Sequence, residues 1–307
     1  MPCYHPISGY RSRHLNKSGK RSIVFDKKNG YIDMPITVKC GQCIGCRLEY
    51  SRQWAIRCLH EAQLHEDNCF ITLTYDNENL PHNGSLTKPH FQKFIKRLRK
   101  YAHPTKIRYF MCGEYGEKFA RAHYHACIFN YDFNDKELWS TKQGTKLYIS
   151  STLQKLWKKG FSTIGELNFD TAAYVSRYIL KKQTGKMAES YYYSRVQEED
   201  GLLTTPVQQE YTTMSRRPGI ATEWFNQFKN EIYPDDFIVI NGQKMPPPKF
   251  YQYLYELDEK NDIKSVKKRR KTLSIRRKDD NTHDRLLTRE KIAQEKIKRK
   301  QRQLEDY

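Results

Sequence analysis

No apolar run in this chain approaches the roughly 20 residues of a membrane-spanning helix, and the residues after Met1 are too polar for a secretory leader. A soluble, intracellular protein without a membrane partner is therefore expected. Acidic residues are scarce: 35 Asp and Glu stand against 55 Lys and Arg, for a formal net charge of +20. That balance argues against a small neutral substrate and for a polyanionic partner. No internal repeat is visible, and hydrophobic residues make up only 37% of 307. One compact core with polar extensions fits these values. What the chain has in quantity is tyrosine, 22 residues, with 14 Phe interleaved among the basic residues. Surfaces that stack nucleotides are built from this mixture.

The pattern of elements gives a fold class. Ile32 to Val38 alternates within a short-stranded or irregular lead-in, and residues 47 to 65 show helical spacing. Cys69 to Tyr75 is β-branched and aromatic, hence a strand, and Thr87-Lys88-Pro89 opens a helix with Thr87 as its cap. Ile107 to Gly113 and His123 to Phe129 read as an antiparallel hairpin. A short helix over Thr152 to Lys159, a strand over Phe161 to Phe169 and a helix capped by Asp170 and ending near Lys182 follow. This order is the split βαβ, ferredoxin-like pattern of an α+β protein: an antiparallel sheet with helices on one face and the other face open to a ligand. Tyr191 to Tyr193 and Ser215 to Gly219 read as loops, and Ala221 to Ile232 as a helix. Residues 258–307, with 18 Lys or Arg against 10 Asp or Glu, form a charged helical or disordered tail. The expected division is a Cys-rich extension and helix over 1–66, a core over 67–185, an accessory region over 186–257, and the basic tail.

Three groups of residues carry chemistry. His123 and His125 flank Tyr124 on a strand and so share a face, where Glu114 on the partner strand adds a carboxylate. Two nitrogens and one carboxylate leave open positions on a divalent ion, Mg²⁺ or Mn²⁺, for a phosphate oxygen. Glu117 is the alternative carboxylate. Tyr174 and Tyr178 lie four apart on a helix, with Lys181 and Lys182 just beyond, where ammonium groups can stabilise phenolate and phosphate charge. Cys40, Cys43 and Cys46 have the spacing of a structural zinc site, with Cys3 or His5 as fourth ligand. Cys58, Cys69, Cys112 and Cys127 fall on helix or strand patterns and are expected to be buried packing residues. The run Lys267 to Lys271 reads as non-specific DNA affinity or as a solvated helix.

These motifs resemble a known family. His123-Tyr124-His125 is similar to the His-hydrophobe-His motif of HUH endonucleases, YVSRYILKK from Tyr174 to Lys182 to their two-tyrosine motif, and FITLTYD from Phe70 to their first motif. MPCYHP, CGQCIGCR, GEYGEKFARAHYHACIF and SRRPGI together resemble the replication initiators of gokushoviruses, single-stranded DNA phages of the Microviridae. The resemblance spans roughly residues 1–230, and it departs from the usual proline before the first histidine, where Ala122 stands. It implies an HUH-type core and a rolling-circle nickase acting on single-stranded viral origin DNA in the bacterial cytoplasm. Such an enzyme stays on the 5′ end through tyrosine, frees a 3′-hydroxyl for the host polymerase and helicase, and later rejoins the ends. Two other readings compete: a zinc-stabilised single-strand-binding protein without chemistry, and a transposase of similar chemistry.

Overall fold

The computed structural model describes residues 3–17, 19–81, 83–116, 120–142, 144–182, 188–193, 206–258 and 263–298, but not the side chains of residues 142, 177–181, 189 and 193. The chain forms two compact units, Met1–Tyr50 with Lys271–Gln301, and Ser51–Arg270. In the first, β1 (Ile7–Leu15), β2 (Arg21–Val24) and β3 (Gly30–Val38) make an antiparallel sheet of order β2-β1-β3. Helix α1 (Ile44–Ala62) begins there and continues into the second unit.

The second unit contains β4 (Asn68–Thr74), α2 (Lys88–Tyr101), β5 (Arg108–Tyr115), β6 (Ala122–Phe129), β7 (Lys136–Lys142), β8 (Thr145–Ser150), α3 (Ser151–Trp157), β9 (Ser162–Gly165) and α4 (Phe169–Lys181). After these come α5 (Ala188–Tyr193), β10 (Tyr211–Met214), α6 (Thr222–Ile232), the hairpin β11 (Ile238–Ile240) and β12 (Gln243–Met245), and α7 (Lys249–Leu257). Helix α8 (Ile263–Arg276) leads back to the first unit, where α9 (His283–Lys298) lies. The main sheet has order β10-β5-β6-β4-β9-β8-β7 with antiparallel neighbours throughout. Four adjacent strands of it, β5, β6, β4 and β9, with α2 and α3 between them in sequence, realise the split βαβ order expected from the sequence.

Strand alternation divides the core. Cys69, Ile71, Leu73, Met111, Tyr124, Ala126 and Ile128 share one cluster with Phe91, Phe94, Ile95 and Leu98 of α2 and Leu153 and Trp157 of α3. The four α2 residues follow i, i+3, i+4, i+7 spacing, and Pro89 falls in the first turn, where its missing N–H costs nothing. Phe70, Phe110, Cys112, Cys127 and Phe129 belong to a second cluster with Ala55 and Ile56 of α1, Ala172 and Val175 of α4, Phe225 of α6 and Tyr251 of α7. The two βαβ helices thus lie together on one face, as expected. The other face, expected to be open, is covered over these apolar residues by helices outside the βαβ unit, because rings left in water there would forfeit about 1.5–3 kcal/mol each.

Several local expectations change. Thr87 occupies the N-cap position of α2 but makes no side-chain cap bond. Asn168, not Asp170, caps α4: its Oδ1 accepts from the Thr171 backbone N–H at 3.0 Å, and Thr171 Oγ1 accepts from the Asn168 N–H at 2.9 Å. The strand expected over Phe161 to Phe169 shrinks to Ser162–Gly165, and Tyr191 to Tyr193 belong to α5 rather than a loop. The charged tail contains helices α8 and α9, each anchored by one buried side chain, Val266 and Leu286. Among the described residues no helix is long and apolar enough to cross a membrane.

Candidate active site

The β5–β6 hairpin aligns Glu114 with His123 and Cys112 with His125, while β4 places Thr72 opposite His125. Glu114, His123 and His125 therefore meet on one face, as the alternation predicts. Glu114 Oε1 lies 3.4 Å from His123 Nε2 and 3.2 Å from His125 Nε2, and all three side chains are nearly buried. The outer nitrogens are held as well. His123 Nδ1 donates to the Arg121 carbonyl at 3.0 Å, and His125 Nδ1 shares a 2.9 Å hydrogen bond with Thr72 Oγ1. Because a carbonyl only accepts, a neutral His123 turns the lone pair of Nε2 towards the carboxylate. A divalent cation satisfies that arrangement, and hydrogen bonds of this kind orient metal-binding imidazoles. Glu117, the alternative carboxylate, lies outside the described residues.

Tyr124, the bulky middle residue, points to the opposite face and has a structural task. Its hydroxyl accepts from the Thr87 N–H at 2.9 Å, donates to the Thr87 carbonyl at 3.0 Å and meets Tyr75 Oη at 2.8 Å. It thereby ties the start of α2 to the strand that carries both histidines. Burial pushes its phenol above the usual tyrosine range, so it stays protonated.

The His125 ring stacks on Phe70 with centroids 5.6 Å apart and meets the edge of the Tyr174 ring at 4.9 Å. Tyr174 is thus brought to the face of Glu114, His123 and His125 from α4, which Ser51 pins by donating to the Ala173 carbonyl at 3.1 Å. Tyr178 follows one turn later on the same helix; its side chain and that of Lys181 lie outside the described residues. Lys182 is half-buried just past the helix end. Thr72 and Phe70 come to the histidines from β4 through cross-strand register, which their own stretch of sequence does not announce, whereas the Arg121 carbonyl lies only two residues before His123.

The cysteines form a second cluster in the other unit. The register Ile7↔Val38 places the chain just before β1 beside the chain just after β3, and so returns Cys3 to Cys40 across 37 residues. Cys3 Sγ is 3.6 Å from Cys40 Sγ and 4.0 Å from Cys43 Sγ, and the ligand atoms of Cys3, Cys40, Cys43 and Cys46 all lie within 4.8 Å of one another. Backbone N–H groups of Tyr4 and Cys43 donate to Cys43 and Cys40 sulfurs at 3.3 Å each, and that of Cys40 donates to Cys3 at 3.2 Å. Burial acts to raise the Cys43 thiol, but N–H groups of Tyr4 and Cys46 outweigh it and bring it down to about 7; burial pushes Cys46 well up. His5, the other candidate ligand, instead meets Glu290 of α9 at 2.6 Å. Cys58, Cys69, Cys112 and Cys127 are buried in the core, as expected. Of the basic run in α8, Lys267 pairs with Glu256 at 2.7 Å, Arg269 donates to the Pro234 carbonyl, and Arg270 grips Asp236 through two nitrogens. Much of that run is therefore committed to the fold.

The family described as Replication-associated protein ORF2/G2P matches residues 68–183, from β4 through α4. Over 298 residues the chain is 33% identical to Replication-associated protein ORF2 of Spiroplasma virus 4, covering 90% of this chain and 88% of that one. The chain belongs to this family of phage replication-associated proteins. It is also 30% identical over 266 residues to Replication-associated protein VP4 of Bdellovibrio phage phiMH2K, covering 83% and 78% of the two chains. Replication-associated protein ORF4 of Chlamydia phage 1 is 30% identical over 224 residues, 70% of this chain and 52% of that one. The resemblance to gokushovirus replication initiators is thereby borne out. No solved structure matches the chain.

Proposed function

We propose that this replication protein is a metal-dependent, single-strand-specific nickase and strand transferase that opens the viral origin for rolling-circle synthesis. The observation that carries the reading is the meeting of Tyr174, at 4.9 Å ring to ring, with His125 of the Glu114–His123–His125 cluster. These three residues would hold Mg²⁺ or Mn²⁺, which supplies Lewis-acid polarisation of the scissile phosphate. The chain's own residues do the rest. A phenol of pKa near 10 is about one part in a thousand ionised at neutral pH, so the tyrosine needs nearby positive charge from Lys181 and Lys182. The phenol gives up its proton to solvent, its oxygen bonds to phosphorus, the bond from phosphorus to the 3′-oxygen breaks, and the 3′-oxygen takes up a proton from solvent in return. A 5′-phosphotyrosine and a free 3′-hydroxyl result. The link preserves the energy of the cut bond, so a later 3′-hydroxyl reverses the step without ATP, and the second tyrosine allows a second cut while the first end is held.

Denaturing electrophoresis of the protein mixed with single-stranded oligonucleotides bearing the phage origin tests this. A covalent species that forms only with divalent metal, together with a shortened oligonucleotide ending in 3′-hydroxyl, is expected. Tight binding with no covalent species under any metal would favour the non-enzymatic binding protein.

The cysteine cluster has a separate role in this reading: it holds a structural zinc that fastens β1 and β3 to the start of α1. A tetrahedron with metal–sulfur bonds of about 2.3 Å spaces its sulfurs by about 3.8 Å, close to the 3.6 and 4.0 Å separations of Cys3 from Cys40 and Cys43. Protein purified without chelator should carry about one zinc per chain. Cys40→Ser with Cys43→Ser should lose it and melt the first unit, because binding energy at such sites is folding energy. A zinc-free native protein whose four thiols all react freely would remove the site.

A further inference from the structure

At the far end of the β5–β6 hairpin, where Arg108 pairs with Phe129, lies a cleft of about 940 Å³ lined in part by Arg99, Lys106, Arg108, Arg216 and Arg217, with the carboxylate of Glu223 on its wall. Arg99, Lys106, Arg216 and Arg217 are exposed. Arg108 is already spent on buried Glu61. Arg99 donates twice to the Ile107 carbonyl, at 3.3 and 3.2 Å, and so is partly committed to the fold as well. Lys106, Arg216 and Arg217 are three further solvated cations beside it; clustering them raises self-repulsion and contributes nothing to the core, so their placement calls for an anionic occupant.

The segment that displays Arg216 and Arg217 is held from several sides. The Ser215 N–H donates to the Tyr109 carbonyl at 3.0 Å, and the Tyr109 N–H donates to Ser215 Oγ at 3.1 Å. Arg108 Nη2 donates to the Pro218 carbonyl at 2.9 Å, Arg57 donates twice to the Ile220 carbonyl at 3.2 and 3.0 Å, and the Ala221 N–H donates to buried Glu61 at 2.5 Å. Arg57 is itself clamped between Trp54 and Phe250, 4.0 and 3.8 Å from their ring centroids. The turn is thus fixed before any ligand arrives, which lowers the entropy lost on binding. Two adjacent guanidinium groups on a rigid turn suit phosphate oxygens, which they engage through paired N–H donors.

We infer that this cleft is a second DNA site, gripping backbone phosphates of the strand that also passes the metal cluster. Six residues of β5 separate Arg108 from Glu114, about 20 Å of strand. On a duplex with one phosphate per roughly 3.4 Å of each strand, that is about six nucleotides, and on the more extended single strand that the nickase would cut it is fewer. The cleft would then set where along the DNA the tyrosines act, while contributing affinity without sequence preference.

The inference rests on the proposed action on DNA, and the test keeps the two apart. Fluorescence anisotropy of the full chain would be followed from 50 to 200 mM salt with a single-stranded and a duplex oligonucleotide of equal length, alongside the covalent assay. Arg216→Ala with Arg217→Ala is expected to weaken binding roughly tenfold at low salt. The slope of log K against log salt should shrink by about 1.8 for duplex or about 1.4 for single strand. Lys106→Glu, an exposed change, should act in the same direction. The arm on which the slope falls identifies the form of DNA held. An unchanged affinity and slope on both arms, in variants with the parental melting temperature, overturns the cleft assignment even where covalent cutting persists. A reduced slope in a protein that never forms an adduct would support the cleft and sink the nickase instead.

Discussion

His125→Ala is expected to lower origin cleavage by roughly 10³-fold or more while leaving DNA affinity nearly unchanged, because phosphate binding rests on the lysines and arginines that remain. The ring contributes in two ways. Its Nε2 stands 3.2 Å from Glu114, completing the donor set, and its faces and edge contact Phe70 and Tyr174. Removing it also empties a position only 2% exposed, at a stability cost of about 2–4 kcal/mol, so folding must be checked by melting. Thr72→Val supplies the control: it keeps volume but removes the 2.9 Å partner of Nδ1, and a 10–100-fold loss of activity is expected from misorientation of the ligand. Nicking rates with Mg²⁺ or Mn²⁺, with and without chelator, decide the matter. Undiminished cutting by His125→Ala in chelator would show that no metal held here takes part.

The parts of this site that could be read from the sequence are those written in short-range order. Alternation across β4, β5 and β6 suffices to place Glu114 beside His123 and His125 once β5 and β6 pair, since a one-residue slip would turn every side chain to the other face. Helix α2 was legible because four apolar residues recur on one face. The pieces missed are those defined by distant partners. β7, at the sheet edge, carries Lys and Thr with Leu138 and Trp139 exposed, so its alternation is faint, and β8 becomes a strand by pairing between β7 and β9. β10 is four residues long and becomes a strand only by pairing with β5. Cys3 and His5 are equal candidates from the sequence, and only the β1–β3 pairing shows that it is the Cys3 sulfur that gathers with those of Cys40, Cys43 and Cys46. The cover over the second face was invisible for a related reason. The burial of Phe70, Phe110, Cys127 and Phe129 calls for helices, but nothing in their own strands says that α1, α4, α6 and α7 supply them.

The double variant Tyr174→Phe with Tyr178→Phe should bind origin DNA and form no covalent adduct, a loss of at least about 100-fold in trapped product. Phenylalanine keeps both rings, and at position 174 it keeps the T-shaped ring contact with His125. Only hydroxyls are removed, at about 1 kcal/mol each, so the fold survives and the loss reports chemistry. The single variants should differ. Tyr178 lies one helical turn, about 6 Å, beyond Tyr174, and in sequence it stands three and four residues before Lys181 and Lys182, whose charge would support a developing phenolate, so Tyr178→Phe is expected to lose the first cut. Tyr174→Phe should still cut once and then fail to transfer the strand, because the second nucleophile is missing. Labelling either end of the oligonucleotide shows which product stays on the protein. If the double variant still becomes linked to the 5′ end of cleaved DNA, the nucleophile is another residue, and the closeness of Tyr174 to His125 is packing alone.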